Sequence, residues 1–187
     1  AADLARVAGT QHHGGLVALA LPRPVPALDP RNPPPAITAA RVTPVLDGVG
    51  NPHNLGAIAR SAAFFGCRAM VLSGDPRQAG LSDAAFRTSE GGLEALEVFR
   101  AADLPLALRG LAPRILTVAA VARGGVPPAA IPRDAPIALV LGNEEDGVAP
   151  ATTAACAMRV TLPPAGPVES LNVSVAAAVL LHSLSAG

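Results

Sequence analysis

The sequence predicts an α/β domain with a mostly parallel sheet. Two observations carry this. From Arg41 onward, short β-branched or Leu-rich runs alternate with helical stretches, the pattern of strands joined by helical crossovers. Several of those runs are apolar throughout rather than alternating, as strands are when helices cover both faces of a sheet.

The first predicted strand is "RVTPVLDGV" (41–49), closed by Gly48 and Gly50. A helix over 54–65 follows, with Asn54 a candidate N-cap. "RAMVLS" (68–73) is the second strand, and a helix over 82–89 comes after it. "LEVFR" (96–100) is the third strand, with a helix over 103–111. "RILTVAAV" (114–121) and the fully apolar "IALVLG" (137–142) are the fourth and fifth. A helix over 150–155, the strand "AMRVTL" (157–162) and an apolar helix over 170–185 complete the pattern. Upstream, "LPRPVPALDPRNPPP" (21–35) holds seven prolines. That density excludes a helix or central strand and predicts an extended linker. Residues 1–20 are too few to fold alone.

Composition narrows the function. The 187 residues suffice for one domain plus an extra segment, and half of them are apolar. No apolar run approaches a membrane span, and the first twenty residues carry Asp3, Arg6, His12 and His13 rather than a signal peptide. Formal net charge is zero, against an autonomous basic nucleic-acid module but not against a local site for nucleic acid. All fourteen basic residues are Arg. That removes a phosphate-loop Lys, a Schiff-base Lys and a Lys base. The absence of Trp and Tyr, with only four Phe, argues against an extended base-stacking platform. Cys67 and Cys156 lack metal-ligand spacing and read as reduced thiols of a cytosolic protein.

Ligands of open α/β sheets sit beyond the carboxyl ends of the strands, so the loops there hold the candidates. "DGVGNPHNLGAIAR" (47–60) joins Gly48, Gly50 and Pro52 to Asn54, Gly56 and Arg60. It reads either as a capped helix with a solvated Arg or as a cleft that Asn54 and Arg60 share. It is not G-x-G-x-x-G, although Asp75 lies at a distance suited to a ribose contact. "LGNEEDGVAP" (141–150) runs an apolar strand into Glu144, Glu145 and Asp146, solvated acids or a metal site. "LPPAGPVESLNVSV" (162–175) is an irregular loop that delivers Ser170 to the start of the last helix, where free backbone N–H groups favour an acceptor or anion. Asn172-Val173-Ser174 is formally a glycosylation sequon, discounted without secretory features. His182 lies among leucines and reads as a core or surface histidine rather than a catalytic one.

Taken in order, "NPHNLGAIARSAAFFG", "ALVLGNEEDG" and "LPPAGPVESLNVSVAAAVL" resemble the three motifs of the SpoU (TrmH) family of RNA ribose 2'-O-methyltransferases, of the SPOUT class. The resemblance spans about residues 41–187, and "FRTSEGGLEAL" (86–96) looks like the segment between the first two motifs. It implies a SPOUT fold whose C-terminal portion forms a deep trefoil knot. It implies S-adenosylmethionine held by the knot loops, an RNA substrate (transfer or ribosomal), a homodimer with sites completed across the interface, a cytoplasmic location, and no metal or membrane. By matching positions, Asn54, Arg60, Glu144, Ser170 and Asn172 would be the catalytic set. Backbone groups at Gly142, Leu162 and Leu171 would hold the cofactor. Pro164 departs from the family's third loop and would stiffen it. "VAGTQHHGGLVALA" (7–20) resembles the end of a small substrate-binding domain. The expected organisation is therefore a remnant of that domain over 1–20, a linker over 21–40 and the catalytic domain over 41–187. Most of the substrate domain would then lie outside this chain, in keeping with its zero net charge and its start at Ala1. Two rivals are a degenerate SPOUT domain acting only as an RNA-binding or scaffold protein and a nicotinamide-dependent Rossmann-like oxidoreductase.

Overall fold

In the computed structural model, which describes residues 2–9, 11, 14–18 and 21–185, the chain runs α1 (Ala2–Ala8), α2 (Pro35–Thr38), β1 (Val42–Asp47), α3 (Pro52–Phe64), β2 (Ala69–Ser73), α4 (Asp83–Ser89), α5 (Gly92–Ala95), β3 (Glu97–Ala101), α6 (Leu104–Leu111), β4 (Leu116–Ala120), a 3-10 turn (Pro128–Ala130), β5 (Ile137–Gly142), α7 (Pro150–Ala155), β6 (Met158–Val160) and α8 (Val173–Ser185). His12 and His13 lie outside the described residues.

The six strands form one sheet in the order β3-β2-β1-β5-β4-β6, every pairing parallel. The uniformly apolar strands explain why both faces are covered. Along β1, Val42 and Leu46 turn to one face and Val45 to the other; along β5, Ile137, Leu139 and Leu141 share the first face and Ala138 and Val140 the second. The first face packs against Leu55, Ile58, Ala59 and Ala62 of α3 and Ala177, Leu180, Leu181 and Leu184 of α8. The second packs against Ile37 of α2 and Leu104, Leu108 and Leu111 of α6. All six residues of each of β1 and β5 are buried.

All six predicted strands are present. Several ends differ, and two helix starts differ in a way that matters. Asn54 does not cap α3. Asn51 does, with extended backbone and a side chain that accepts from the His53 N–H, and Pro52 follows at the first helical position, where a fixed φ and a missing N–H cost nothing. Asn54 thus sits inside the first turn, its amide free to reach outward. The last helix starts at Val173, not at 170, leaving Ser170 and Leu171 in the loop. Four short elements escaped the sequence pattern: α1, α2, α5 and the 3-10 turn. Each has seven residues or fewer, too short to show a period.

The Pro-rich stretch is extended, as expected, and it is also docked. Arg100 N–H donates to Pro26 O at 2.9 Å and Leu28 N–H to Arg100 O at 2.8 Å, so the stretch lines the edge strand β3. Proline tolerates such an edge because only alternate N–H groups are needed there. Leu28 is buried against the second face, and the Arg23 guanidinium binds the carbonyls of Leu93 and Leu96. No helix among the described residues is long and apolar enough to cross a membrane.

Candidate active site

The sheet reverses its order at the β1–β5 seam: β2 and β3 lie on one side, β4 and β6 on the other. Loops leaving the carboxyl ends of β1 and β5 therefore flank the point at which such a sheet places a ligand. Four side chains from three distant segments meet there.

The connection begins at α8. Asn172 Oδ1 accepts from Ser174 N–H at 2.9 Å and from Ser174 Oγ–H at 2.6 Å. With its oxygen fully used on the helix start, Asn172 presents its amide N–H outward, and Nδ2 donates to Asn54 Oδ1 at 3.2 Å. Asn54, its oxygen turned to Asn172, directs its own amide group to the turn after β5, and Nδ2 donates to Glu144 Oε1 at 2.6 Å. Every bond runs donor to acceptor in one direction and ends on a carboxylate, an arrangement in which each bond polarises the next. The short last distance suits an acceptor that carries charge. Each amide orientation is fixed by the one before it.

Glu144 owes its position to a tight turn. Gly142, the last residue of β5, is followed by Asn143, which exchanges two backbone bonds with Gly147. Asn143 Oδ1 accepts from the N–H groups of Glu145 and Asp146, and its Nδ2 donates to Gly48 O at 2.8 Å. The turn folds so closely onto Gly142 that a Cβ there would lie 2.1 Å from Gly147 C. Asp47, at the end of β1, accepts from Ala149 N–H at 3.0 Å and ties the two strand ends again. Asn143 and Asp47 were not singled out from the sequence. Their signal is a polar residue placed where an apolar strand stops.

The three acids after β5 part company. Glu144 meets Asn54, Asp146 meets Arg77 at 2.7 Å, and Glu145 is exposed. Among the described residues no three His, Cys, Asp or Glu side chains gather at metal-holding spacing. On the far side, the loop after β4 is stitched to β6: Val121 N–H donates to Val160 O, Val126 N–H to Arg159 O and Thr161 N–H to Val126 O. Thr161 Oγ1 accepts from Gly125 N–H and donates to Val121 O. Arg123 and Glu169 pair at 2.7 Å across the outer ends of these loops.

The structure thus brings together Asn54, Glu144 and Asn172, with Ser174 as a fourth member that the sequence left without a role. Arg60 and Ser170 do not join them; both are exposed. Of the two readings of this motif, an exposed Arg60 that bonds to none of the cluster's side chains agrees with a solvated Arg. Six residues turn a helix by about 240° beyond one full circuit, so Arg60 leaves α3 on another side, beside α5, where its backbone closes on Gly92. Gly142 ends β5, and Leu162 follows the carboxyl end of β6. Leu171 precedes α8 and is 51% exposed, and Val168 on the same loop is exposed as well. Asp75, weighed as a ribose partner, is instead engaged by Arg77. Cys67 is buried and Cys156 half-buried, both free.

Comparison with known proteins adds the following. The model of the SpoU rRNA Methylase family matches residues 41–182. A protein of Mycobacterium ulcerans described as an uncharacterized tRNA/rRNA methyltransferase is 35% identical over 98% of this chain and 59% of its own length. The 23S rRNA (guanosine-2'-O-)-methyltransferase RlmB of Nitrosomonas europaea is 39% identical over 73% of this chain and 53% of its own length. This chain thus spans little more than half the length of these relatives. Among solved structures, the SpoU methyltransferase AviRb of Streptomyces viridochromogenes in complex with the cofactor AdoMet superposes with a TM-score of 0.69 at 27% identity, over 76% of this chain and 56% of that one. The AdoMet-bound rRNA methyltransferase of Sinorhizobium meliloti gives 0.69 at 28% identity, over 77% and 55%.

Proposed function

The chain belongs to the SpoU rRNA methylase family, and on that premise we propose that it transfers the methyl group of S-adenosylmethionine to a ribose 2'-hydroxyl of transfer or ribosomal RNA. The observation that carries the proposal is the directed chain Asn172→Asn54→Glu144. It joins all three family motifs at one point on the carboxyl side of the sheet, where a ligand is expected.

The loops suit the cofactor. Gly142, Leu162 and Leu171 stand at the ends of β5 and β6 and before α8, and the exposed Leu171 and Val168 side chains offer apolar surface that an adenosine would cover. Exposed Glu144 and Glu145 put two carboxylates on the turn beside the proposed site, charge of the sign that suits a sulfonium. The cofactor, when bound, supplies a methyl already activated by positive charge. The residues then have to align the nucleophile and stabilise charge. Arg60 is the group for the second task. A guanidinium stays protonated and is a poor base, so its part is to hold a phosphate or the developing oxyanion while the hydroxyl proton leaves to solvent. Asn54 and Glu144 shape the proposed site, Asn172 closes it, and Ser170 borders it on the loop.

Arg60 lies away from the Asn54 cluster within one chain, which favours a site completed by a second copy. Exposed apolar side chains support a homodimer: Phe64, 82% exposed at the end of α3, and Val175 and Val179 on one face of α8. The knot belongs to the same proposal; its support is the clasp of residues 121–126 on β6. We assign 41–187 to the catalytic domain, 21–40 to the segment that leads into it and 1–20 to the end of a substrate domain, in a cytoplasmic protein. The test is to map 2'-O-methyl marks in the RNA of a deletion strain. One mark lost, and restored by the wild type but not by Arg60→Ala, is the expected result. No mark lost overturns the assignment.

A further inference from the structure

Arg77 lies outside all three motifs, yet its guanidinium sits where three strand-end loops converge. It binds Asp75 as a fork, with Nε donating to Oδ1 at 3.2 Å and Nη2 to Oδ2 at 3.0 Å. Its own backbone N–H donates to Asp75 Oδ1 at 2.7 Å. The remaining arm, Nη1, crosses to Asp146 Oδ2 at 2.7 Å. The pair rests on the β1 loop as well: a Cβ at Gly48 would lie 3.2 Å from Asp75 Oδ2 and 3.6 Å from Arg77 Nη2. Gln78 continues the same tie, donating to Val49 O and accepting from Val49 N–H, both at 3.1 Å.

We infer that Arg77 is a positioning residue for the proposed methyl transfer, holding the Glu144 turn against Asn54 through the Asp75–Arg77–Asp146 bridge. Asp146 stands two residues from Glu144 on the turn that Asn143 organises. Pulling Asp146 toward the β2 loop ties the turn at a point separate from the Asn54 bond, so two side-chain anchors hold the segment that carries Glu144. Without the guanidinium, Asp75 and Asp146 repel each other across the loops, and the turn loses its outer anchor. An isolated exposed ion pair contributes little, but a forked Arg shared between two carboxylates forms a network with fixed geometry. A small misplacement at a reacting centre is enough to slow chemistry.

The inference rests on the methyl-transfer reading, and the test separates the two. The full-length enzyme would be compared with Arg77→Gln, Arg77→Lys, Asp146→Asn and the Arg77→Gln/Asp146→Asn double variant, with Arg109→Gln on α6 as a control for loss of surface charge. Backbone hydrogen exchange over 143–147 is the first readout and does not require activity. Arg77→Gln and Asp146→Asn should both speed exchange there and leave the rest of the sheet unchanged. The second readout is kcat at saturating S-adenosylmethionine and RNA. The expected loss is about tenfold for either single variant, no larger in the double variant, partly recovered in Arg77→Lys and absent in Arg109→Gln, with the cofactor KM little moved. Unchanged exchange over 143–147 overturns the inference, as does an unchanged kcat in Arg77→Gln against an active wild type. A wild type that methylates no RNA of its own cell overturns the methyl-transfer reading instead, while the exchange arm still decides whether Arg77 holds the turn.

Discussion

Asn54 Nδ2 donates to Glu144 Oε1 at 2.6 Å across ninety positions of sequence. The bond joins the first turn of α3 to the turn after β5, the two loops that flank the sheet's switch point. Because Asn54 also accepts from Asn172, removing its amide frees both partners. Asn54→Ala and Glu144→Ala should each lower kcat by about 10²-fold. The double variant should be scarcely worse than either, with a coupling of about 1–3 kcal/mol. Steady-state kinetics of the four proteins checks this. Fully additive losses would mean that the two side chains act separately.

Arg60 carries a different expectation. Its side chain is exposed, so Arg60→Ala should change stability by no more than about 0.5 kcal/mol. Activity should nevertheless fall by about 10²–10³-fold, the usual cost of removing one group that stabilises developing charge. Thermal unfolding and single-turnover assays on the same preparation make the comparison. If Arg60 is supplied to a neighbouring copy's site, mixing inactive Arg60→Ala with inactive Asn54→Ala protein should restore part of the activity through heterodimers.

Much of this was legible in the sequence because the signals are local. Apolar runs such as "IALVLG" marked buried strands, and the motif order marked the loops that converge. What escaped was decided by geometry beyond the run. Asn54 looks like a cap in the sequence because it starts an apolar-periodic stretch, but Pro52 fixes the helix start two residues earlier and hands the cap to Asn51. Ser170 looks like the helix start in the sequence, but Asn172 holds the two Ser174 donors and delays the helix to Val173. Asn54 and Arg60 share a motif and not a helix face. The docked Pro-rich stretch was unreadable, since one edge-strand partner leaves no periodicity in either segment.

The Asp75 carboxyl is held below its ordinary value by side-chain and backbone bonds from Arg77, assisted by the guanidinium's charge. The groups that face it are Arg77 and, across that guanidinium, Asp146. A depressed carboxyl pKa contributes stability that is present above the unfolded value near 3.8 and lost as pH falls through the lower folded value. The bridge should therefore be intact at neutral pH and fail only below about pH 4. Denaturant titrations between pH 3 and 7 should show Asp75→Asn abolishing part of the acid-side loss and leaving the slope above pH 5 unchanged.

Burial pushes the Cys67 thiol up to about 12, and Cys156 likewise, with the Asp47 carboxylate adding to the effect there. Thiolate is the reactive form. At pH 8 Cys67 should therefore label with an aromatic disulfide reagent only as fast as the protein opens, and at once in denaturant. A raised thiol pKa adds stability that is complete below the unfolded value near 9.0 and lost as pH rises toward about 12. Cys67→Ala should flatten stability between pH 9 and pH 11, at the cost of a small cavity. Rapid labelling of Cys67 in the native protein would contradict its 6% exposure.

Gly142 offers the sharpest separation of fold from site. A Cβ at this position would meet Gly147 C and Val148 N at 2.1 Å and Gly147 O at 2.4 Å, all backbone atoms of the turn that carries Glu144. None of them can swing aside as a side chain would, so Gly142→Ala should cost about 3 kcal/mol. Gly80→Ala is the matching control, because nothing lies within 4 Å of a Cβ there; it should be neutral or stabilise by up to about 1 kcal/mol through the unfolded chain. Urea titration of both variants checks the contrast. Activity adds a second test. A Gly142→Ala protein that stays folded must do so by pushing the 143–147 turn outward, which stretches the 2.6 Å bond from Asn54 to Glu144. It should lose activity at temperatures where it is still fully folded, whereas Gly80→Ala should retain it.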